Sequence, residues 1–339
     1  MPALSTVSAN RAPTAAVFIS GAIGDNVVHM GLVKRLALRH GPVLLINYLD
    51  DQANALFAEQ TCIAQVISLR SVLGPDRERR GAIAAELFAK AKLEHLYHFN
   101  FQTWFAVAAF KARVPNRYAY LPRRAFIRLP LFNHHVFVPD RTPHPRSFYW
   151  IQALLQKYGF DHAPIFPNLE ASPAFLAQAR LLAAARPRWV ALGMNSSVAA
   201  RQWGAARFAA LALAIRQQDR EIGFILFGHR DIAPIADEFL RLMPADTAVV
   251  NLPAIAPDLR LSVALLADAQ LYVGNDSSGM NLAAALGIAT IGLFGYRSLA
   301  AFCPHLHPVY AEPPESGMAN IDADQVAQLT LELLAARKA

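Results

Sequence analysis

The chain is poor in cysteine and in charge and has no long apolar run, and each absence excludes a class of protein. Its 339 residues include only two cysteines, Cys62 and Cys303, which excludes a disulfide framework and disfavours a cysteine-based metal site. Charged residues make up 17% and hydrophobic residues 54%, so disorder and coiled coil are excluded as the main organisation. No apolar run reaches the ~18 residues of a membrane-spanning helix, and residues 1–16 lack the apolar core of a secretory signal. We therefore expect a cytoplasmic protein whose cysteines are reduced and structural.

The net charge of +7 is unevenly distributed between the two halves of the chain. Residues 1–165 contain 19 Lys and Arg against 10 Asp and Glu, whereas residues 166–339 contain 13 against 15. The basic half is expected to face an anionic partner. Nucleic acid and a phosphorylated lipid at a membrane surface are both compatible with the composition.

Strand-like and helix-like segments alternate along the chain in two series, separated by a Pro-rich break at residues 163–173. The strands are almost continuous apolar runs, which is typical of parallel sheets covered by helices on both faces. The pattern predicts an α/β protein with two doubly wound, Rossmann-like domains, residues 1–165 and 166–339, facing each other across a central cleft. The predicted strands are residues 15–19, 43–47, 64–69 and 96–99 in the first domain and 189–192, 223–227, 249–252, 271–273 and 290–294 in the second.

Ligands of doubly wound domains bind at the carboxyl ends of the strands, so the loops that follow strands are the candidate sites. The first is GAIGD at residues 21–25, in which Gly21 and Gly24 allow a tight turn and Asp25 lies at the start of a helix. This string is not the G-x-G-x-x-G fingerprint, which disfavours a nicotinamide cofactor. Asp25 is open to two interpretations, a helix cap and a catalytic carboxylate.

Three loops of the second half could bind phosphate or sugar groups. The loop at 193–203 offers hydroxyls and Arg201 before a helix, which suits a diphosphate, although a solvated surface loop would look the same. The loop at 274–279 has six consecutive small or polar residues before an Ala-rich helix, more than a simple capped turn requires. Asp231, in a third loop, either holds ribose hydroxyls or caps a helix. The candidate binding residues in and directly after these loops are Ser196, Ser197, Arg201, Asp231, Asp276, Ser277, Ser278, Gly279, Met280 and Asn281.

Together these loops resemble glycosyltransferase family 9, the heptosyltransferases, which have the GT-B fold. The strings that carry the resemblance are GAIGD (21–25), ARQWGAARFAAL (200–211) and NDSSGMNLAAALGIATIGLFG (275–295). They are similar to the family's G-x-x-G-D, to its K-R-W-P before R/E-F-x-x-L, and to N-D-S-G-P-M-H-L-A-A-A-L-G-x-P-T-x-x-L-F-G. The resemblance covers most of the chain and is strongest over residues 189–295.

The resemblance implies an inverting transfer of a sugar, typically heptose from ADP-heptose, to a saccharide acceptor such as the lipopolysaccharide core. Asp25 matches the family's general base, and Gly21, Gly24 and Asn26 lie in the same loop. Ser196, Ser197 and Arg201 match the diphosphate contacts, Asp231 the ribose carboxylate, and Asp276 through Asn281 the loop that holds the donor. No cofactor is implied beyond the nucleotide sugar itself.

Three departures from the family pattern concern the donor. The usual Lys is Arg201, the usual His is Asn281, and the Gly-Pro pair is Ser278-Gly279. Arg keeps the charge in a planar fork, and Asn keeps hydrogen-bonding capacity without carrying a proton. A sugar other than heptose, or another nucleotide, therefore stays open.

Metal-independent catalysis is expected. The Asp-x-Asp string at 322–324 stands at the start of the last predicted helix, where capping explains it. The histidine pairs His95/His98, His134/His135 and His305/His307 lack supporting ligands at suitable spacing.

The basic half is expected to bind an anionic, lipid-linked saccharide, with peripheral contact at the cytoplasmic face of the inner membrane as an open possibility. A solvated basic face is the alternative interpretation, and nucleic acid is disfavoured because no recognised binding motif accompanies the charge. Two other functions remain open: a nucleotide-sugar epimerase of the same architecture, and a catalytically inactive nucleotide-sugar-binding protein. The candidate acceptor-binding residues are Arg113, Arg117, Arg123 and Arg124.

Overall fold

The chain forms two compact units that divide between Ile165 and Phe166, within the Pro-rich segment. The computed structural model describes residues 12–73, 79–100, 102–139, 147–184, 188–196, 198–296, 303–313 and 316–336, without the side chains of Arg124 and Phe126.

The first unit is built on a six-stranded parallel sheet in the order β3-β2-β1-β4-β5-β6. This is a doubly wound order in which the direction of winding reverses between β1 and β4. The strands are β1 Ala15–Phe18, β2 Val43–Asn47, β3 Ile63–Ser68, β4 His95–His98, β5 Asn116–Pro122 and β6 His134–Val138. The helices are α1 Ile23–His40, α2 Asp51–Ala58, α3 Leu69–Leu73, α4 Arg80–Ala91, α5 Thr103–Lys111 and α6 Ser147–Lys157, with a 3-10 segment over Arg123–Leu131.

The second unit repeats the same winding in the order β12-β11-β10-β7-β8-β9, so that its reversal lies between β7 and β10. Its strands are β7 Arg188–Gly193, β8 Ile222–Leu226, β9 Val249–Asn251, β10 Leu271–Asn275, β11 Ala289–Phe294 and β12 Leu306–Tyr310. Its helices are α7 Pro173–Leu182, α8 Ala205–Gln218, α9 Ala233–Leu242, α10 Leu252–Ile255, α11 Leu259–Ala267, α12 Ser278–Ala285 and α13 Ala323–Ala336. Short 3-10 turns lie at Ala199–Arg201, Arg230–Ile232 and Met318–Asn320.

Burial on both faces explains why the central strands are continuous apolar runs. Every residue of β2 and of β10 is buried. Because neighbouring side chains of a strand point to opposite faces, such a strand is apolar along most of its length. The buried asparagines at the carboxyl ends, Asn47 and Asn275, form hydrogen bonds. The prediction of an α/β protein with two doubly wound parallel sheets is confirmed.

Prediction from the sequence missed three strands, β5, β6 and β12, and four helices, α3, α6, α7 and α10. β5 and β6 lie in the segment interpreted only as a basic stretch, and β5 begins with Asn116-Arg117 while β6 begins with two histidines. β12 contains Pro308, which an edge strand tolerates because its outer side needs no ladder hydrogen bond. Strands near a sheet edge carry polar residues, so they lack the continuous apolar run by which the central strands were recognised. The helix α7 was missed because it begins at the end of the Pro-rich break.

None of the helices in the described residues is long and apolar enough to cross a membrane.

Candidate active site

Asp25 lies in the first turn of α1, directly after the β1 loop. Its Oδ2 accepts a hydrogen bond from the backbone N–H of Ala22 at 2.9 Å, which is a capping interaction across the helix start. Gly21 has φ +125° and lies so close to the Asp25 carboxylate that a Cβ there would collide with it. Ala22 occupies the N-cap position, so Asp25 is not the N-cap residue and contributes to capping from the first turn of the helix. The residue is exposed, so its carboxylate is both held and accessible.

Two buried polar side chains, those of Asn26 and His29, donate hydrogen bonds to the backbone of the turn that contains Asp25. Asn26 is 0% exposed and donates to the Ala22 carbonyl at 3.0 Å. His29, one turn further along α1, donates from Nδ1 to the Asp25 carbonyl at 2.6 Å, while its Nε2 lies 3.2 Å from the Ser147 hydroxyl. Burial lowers the pKa of His29, which keeps the imidazole neutral and leaves Nε2 to accept from Ser147. Sequence reasoning missed His29, although its spacing of four from Asp25 places it on the same helix surface.

Asn275 joins the two principal donor loops of the second unit. Its Oδ1 accepts from the Trp203 backbone N–H at 3.1 Å, and its Nδ2 donates to the Met194 carbonyl at 2.8 Å. The side chain is 0% exposed, so these bonds form without competition from water. The loop after β7 is thereby fixed against the carboxyl end of β10, at the reversal of the sheet. Sequence reasoning recognised Asn275 only as a polar loop residue.

The structure brings Arg201 and Asp276 together and adds a residue that the sequence analysis did not select. Arg201 Nη1 lies 3.5 Å from Asp276 Oδ2, and the Tyr296 hydroxyl donates a hydrogen bond to the same oxygen. The guanidinium carbon of Arg201 lies 4.8 Å from the centroid of the Tyr296 ring, within cation–π distance. An aromatic residue in the loop after the apolar strand β11, separated from the strand by Gly295 alone, was the available signal for Tyr296.

The N-terminus of α12 carries no side-chain cap. Ser277 occupies the N-cap position without a capping hydrogen bond, so the capped-turn interpretation of this loop is wrong. The first-turn N–H groups, those of Ser278, Gly279 and Met280, have no acceptor within the helix. Asn281 donates from Nδ2 to the Ser277 carbonyl at 3.3 Å. The result is an uncapped, positively polarised helix start next to Arg201 and Asp276.

The Tyr272 side chain packs against glycines at the ends of β7 and β10 and in the first turn of α12. Its ring rises from β10, and Cβ atoms on Gly274 and Gly279 would lie 2.6 and 2.7 Å from its hydroxyl oxygen; one on Gly193 would overlap it. These three glycines are therefore needed for the aromatic ring to fit. Burial raises the pKa of Tyr272, because desolvation disfavours the phenolate.

Three further donor candidates differ in their surroundings. Ser196 is buried, and its Oγ accepts from the Val198 N–H at 3.3 Å. Ser197 lies outside the described residues. The Asp231 side chain is 63% exposed, with the His229 ring 3.9 Å away, and it does not cap α9. The exposed Asp231 carboxylate is therefore accessible from solvent.

The candidate acceptor arginines are also not equivalent. Arg117 donates to the carbonyls of Leu131 and Val114 and lies over the Phe110 ring, so much of its hydrogen-bonding capacity serves the fold. Arg113 and Arg123 are exposed. The side chain of Arg124 lies outside the described residues.

Comparison with protein families decides the assignment. Residues 100–309 match the model of "Glycosyltransferase family 9 (heptosyltransferase)". The chain belongs to glycosyltransferase family 9. The resemblance expected from the loop strings is thus confirmed, and the chain is a glycosyltransferase by family. The donor loops of this family 9 glycosyltransferase lie inside the matched residues, whereas Asp25 lies outside them.

Solved structures show the same fold at low sequence identity. The ADP-heptose LPS heptosyltransferase II of E. coli is 16% identical, covers 96% of this chain and 100% of its own, and has a TM-score of 0.75. A family 9 glycosyltransferase from Veillonella parvula is 16% identical, covers 95% and 97%, and has a TM-score of 0.77. E. coli WaaC with ADP-2-deoxy-2-fluoro heptose is 13% identical, covers 94% and 99%, and has a TM-score of 0.65. A search of curated proteins finds no match. The GT-B fold expected for this glycosyltransferase is confirmed.

Among the described residues of this family 9 chain, no group of three or more His, Cys, Asp or Glu side chains is arranged to hold a metal ion. The positive groups at the candidate donor site are Arg201 and the helix start of α12.

Proposed function

We propose that this family 9 glycosyltransferase is an inverting enzyme that transfers heptose from ADP-heptose to an anionic saccharide such as the lipopolysaccharide core. The observation that carries the proposal is the uncapped start of α12 beside Arg201 and Asp276, at the reversal of the second sheet. Two structural relatives support the choice of donor, since one is an ADP-heptose LPS heptosyltransferase and another holds an ADP-heptose analogue.

The donor's diphosphate binds at the start of α12 in this proposal. Backbone N–H groups at a helix start donate to phosphate oxygens, and the helix dipole favours their negative charge. Arg201 adds a full positive charge and further N–H donors. These groups stabilise the charge that grows on the diphosphate as the sugar leaves, so the chemistry proceeds without a metal ion.

Asp25 acts as the general base. The acceptor hydroxyl oxygen attacks the anomeric carbon, its proton passes to the Asp25 carboxylate, and the bond from that carbon to the phosphate oxygen breaks, releasing ADP. Attack opposite the leaving group inverts the anomeric centre. The hydrogen bond from Ala22 restrains the carboxylate, which reduces the orientational freedom lost on reaching the transition state.

The decisive variant is Asp25→Asn, because an amide oxygen can still accept the Ala22 hydrogen bond but cannot take the proton. Transfer should fall by about 10²- to 10⁴-fold, the typical contribution of a general base, with ADP-heptose affinity nearly unchanged. Asp50→Asn is the matched control, since Asp50 caps α2 in the same unit by accepting from Ala53 at 2.9 Å. An equal loss of donor affinity in Asp25→Asn would assign the residue to the nucleotide instead.

The same assay separates the competing functions and tests the metal. An epimerase would convert a sugar nucleotide in the absence of acceptor, and an inactive binding protein would bind donor without turnover. EDTA should leave the transfer rate unchanged, and inhibition that added metal reverses would refute metal-free catalysis.

The acceptor proposal rests on the basic first unit. Exposed Arg113 and Arg123 are available to phosphate groups of a lipid-linked saccharide, and we place the protein in the cytoplasm with peripheral contact at the membrane face. Co-sedimentation with anionic and with neutral vesicles tests this, since the proposal requires binding to the anionic vesicles alone.

A further inference from the structure

We propose that Tyr296 is a positioning residue for Arg201 in donor binding, an inference that rests on the proposed function. Tyr296 contacts both members of the candidate diphosphate site. Its hydroxyl donates to Asp276 Oδ2, and its ring lies under the Arg201 guanidinium at 4.8 Å. Since Arg201 also meets Asp276 Oδ2, at 3.5 Å, the three side chains form a closed cluster, here called the Arg201–Asp276–Tyr296 triangle.

The triangle restrains an otherwise flexible cation. An arginine that is 40% exposed would ordinarily sample several rotamers, and binding an anion would then cost the entropy of ordering it. In the triangle, one edge of the guanidinium meets Asp276 and one face meets the Tyr296 ring. A guanidinium has five N–H donors, so the contact through Nη1 leaves others to reach a diphosphate.

The hydroxyl of Tyr296 also limits what Asp276 can do. By donating to Oδ2, the hydroxyl restrains the Asp276 carboxylate and uses part of its capacity to accept hydrogen bonds. The restrained carboxylate then holds Arg201 in one position. Burial and the bond to Asp276 raise the pKa of Tyr296, so the hydroxyl remains a donor at neutral pH. The planar guanidinium can use ring and carboxylate together, which accounts for Arg at a position where the family pattern has Lys.

Calorimetric titration of the full chain with ADP tests the proposal. Tyr296→Phe keeps the ring but removes the hydroxyl, and we expect ADP to bind about tenfold more weakly, the effect of one hydrogen bond to a charged group. Tyr296→Leu removes the ring as well and should weaken binding further. Tyr310→Phe is the matched control, because Tyr310 ends β12 in the same unit and packs on Phe294; its ADP affinity should equal that of the wild type.

A double-mutant cycle distinguishes positioning from a direct or structural role. If Tyr296 acts through Arg201, then Tyr296→Phe should have little further effect in an Arg201→Ala background. Additive losses, or unchanged ADP binding in both Tyr296 variants, would overturn the proposal. In steady-state assays the loss should appear in KM for the donor with kcat changed less, and Arg201→Lys should not restore wild-type affinity.

ADP binding to the wild-type protein distinguishes an error in the role of Tyr296 from an error in the proposed function. Wild-type protein that binds neither ADP nor UDP, GDP and dTDP would refute the nucleotide-sugar assignment and, with it, the role of Tyr296. Wild-type protein that binds ADP, with Tyr296 variants that bind equally well, would refute the role of Tyr296 alone.

Discussion

His98 makes the stability of the first unit sensitive to acid. It is 1% exposed at the end of β4, its ring packs among Phe18, Phe105 and Phe132, and neither ring nitrogen has a hydrogen-bond partner in the described part of the chain. Burial, with a smaller contribution from the charge of Arg117, lowers the pKa of His98 to about 3. The folded protein therefore excludes a proton that the unfolded chain binds near pH 6.5.

The sign and size of the effect follow from that difference. A lowered pKa means that stability is fully present above pH 6.5 and is lost progressively as the pH falls towards 3. Each pH unit in this window costs about 1.4 kcal/mol, so lowering the pH from 7.5 to 4.5 should remove about 3 kcal/mol through His98 alone.

His98→Phe should remove this dependence, because phenylalanine fills a similar volume and does not titrate. At pH 7.5 the variant should also be about 1–3 kcal/mol more stable, since it no longer buries an N–H without a partner. The assay is urea unfolding at both pH values, with hydrogen exchange of the β4 peptides to assign the transition to the first unit.

His162→Phe is the matched control, because His162 is an exposed histidine of the same unit. It should keep the wild-type loss of stability between pH 7.5 and 4.5. The same loss in His98→Phe as in the wild type would refute the reasoning.

Two further variants test how the donor loops are held. Asn275→Ala removes two buried hydrogen bonds and leaves the Trp203 N–H without a partner, which should cost about 2–4 kcal/mol in urea unfolding and weaken ADP binding. Asn251→Ala, which removes the cap of α10 only, should cost about 1 kcal/mol. An equal loss of stability in the two variants would contradict the conclusion that Asn275 holds the loop after β7 against β10. Gly279→Ala places a Cβ 2.7 Å from the Tyr272 hydroxyl and 2.9 Å from the Phe227 ring, and it should cost about 1–3 kcal/mol by overpacking. Tyr272→Phe should recover only part of that cost, because the contact with Phe227 stays. Gly81→Ala in α4 meets no atom within 4 Å and should be neutral or stabilising, so a similar loss there would refute the steric explanation.

The amino-acid sequence determined the fold class and the position of the loops. Continuous apolar runs marked the central strands, since a strand buried on both faces tolerates little else. Glycine and aspartate directly after β1 located Asp25, and the string from Asp276 to Asn281 located the start of α12. These signals are local, because turns and helix starts are built from neighbouring residues.

Only the tertiary structure decided which side chains share a site. Arg201 and Tyr296 meet at Asp276 from positions 75 and 20 residues away along the chain, and Asn275 bonds to a loop more than 70 residues distant. No spacing rule connects such positions, because the parallel strands place the ends of distant segments side by side. The edge strands β6 and β12 were missed for a related reason: polar residues and proline are tolerated there because of a strand's place in the sheet, which its own sequence does not record.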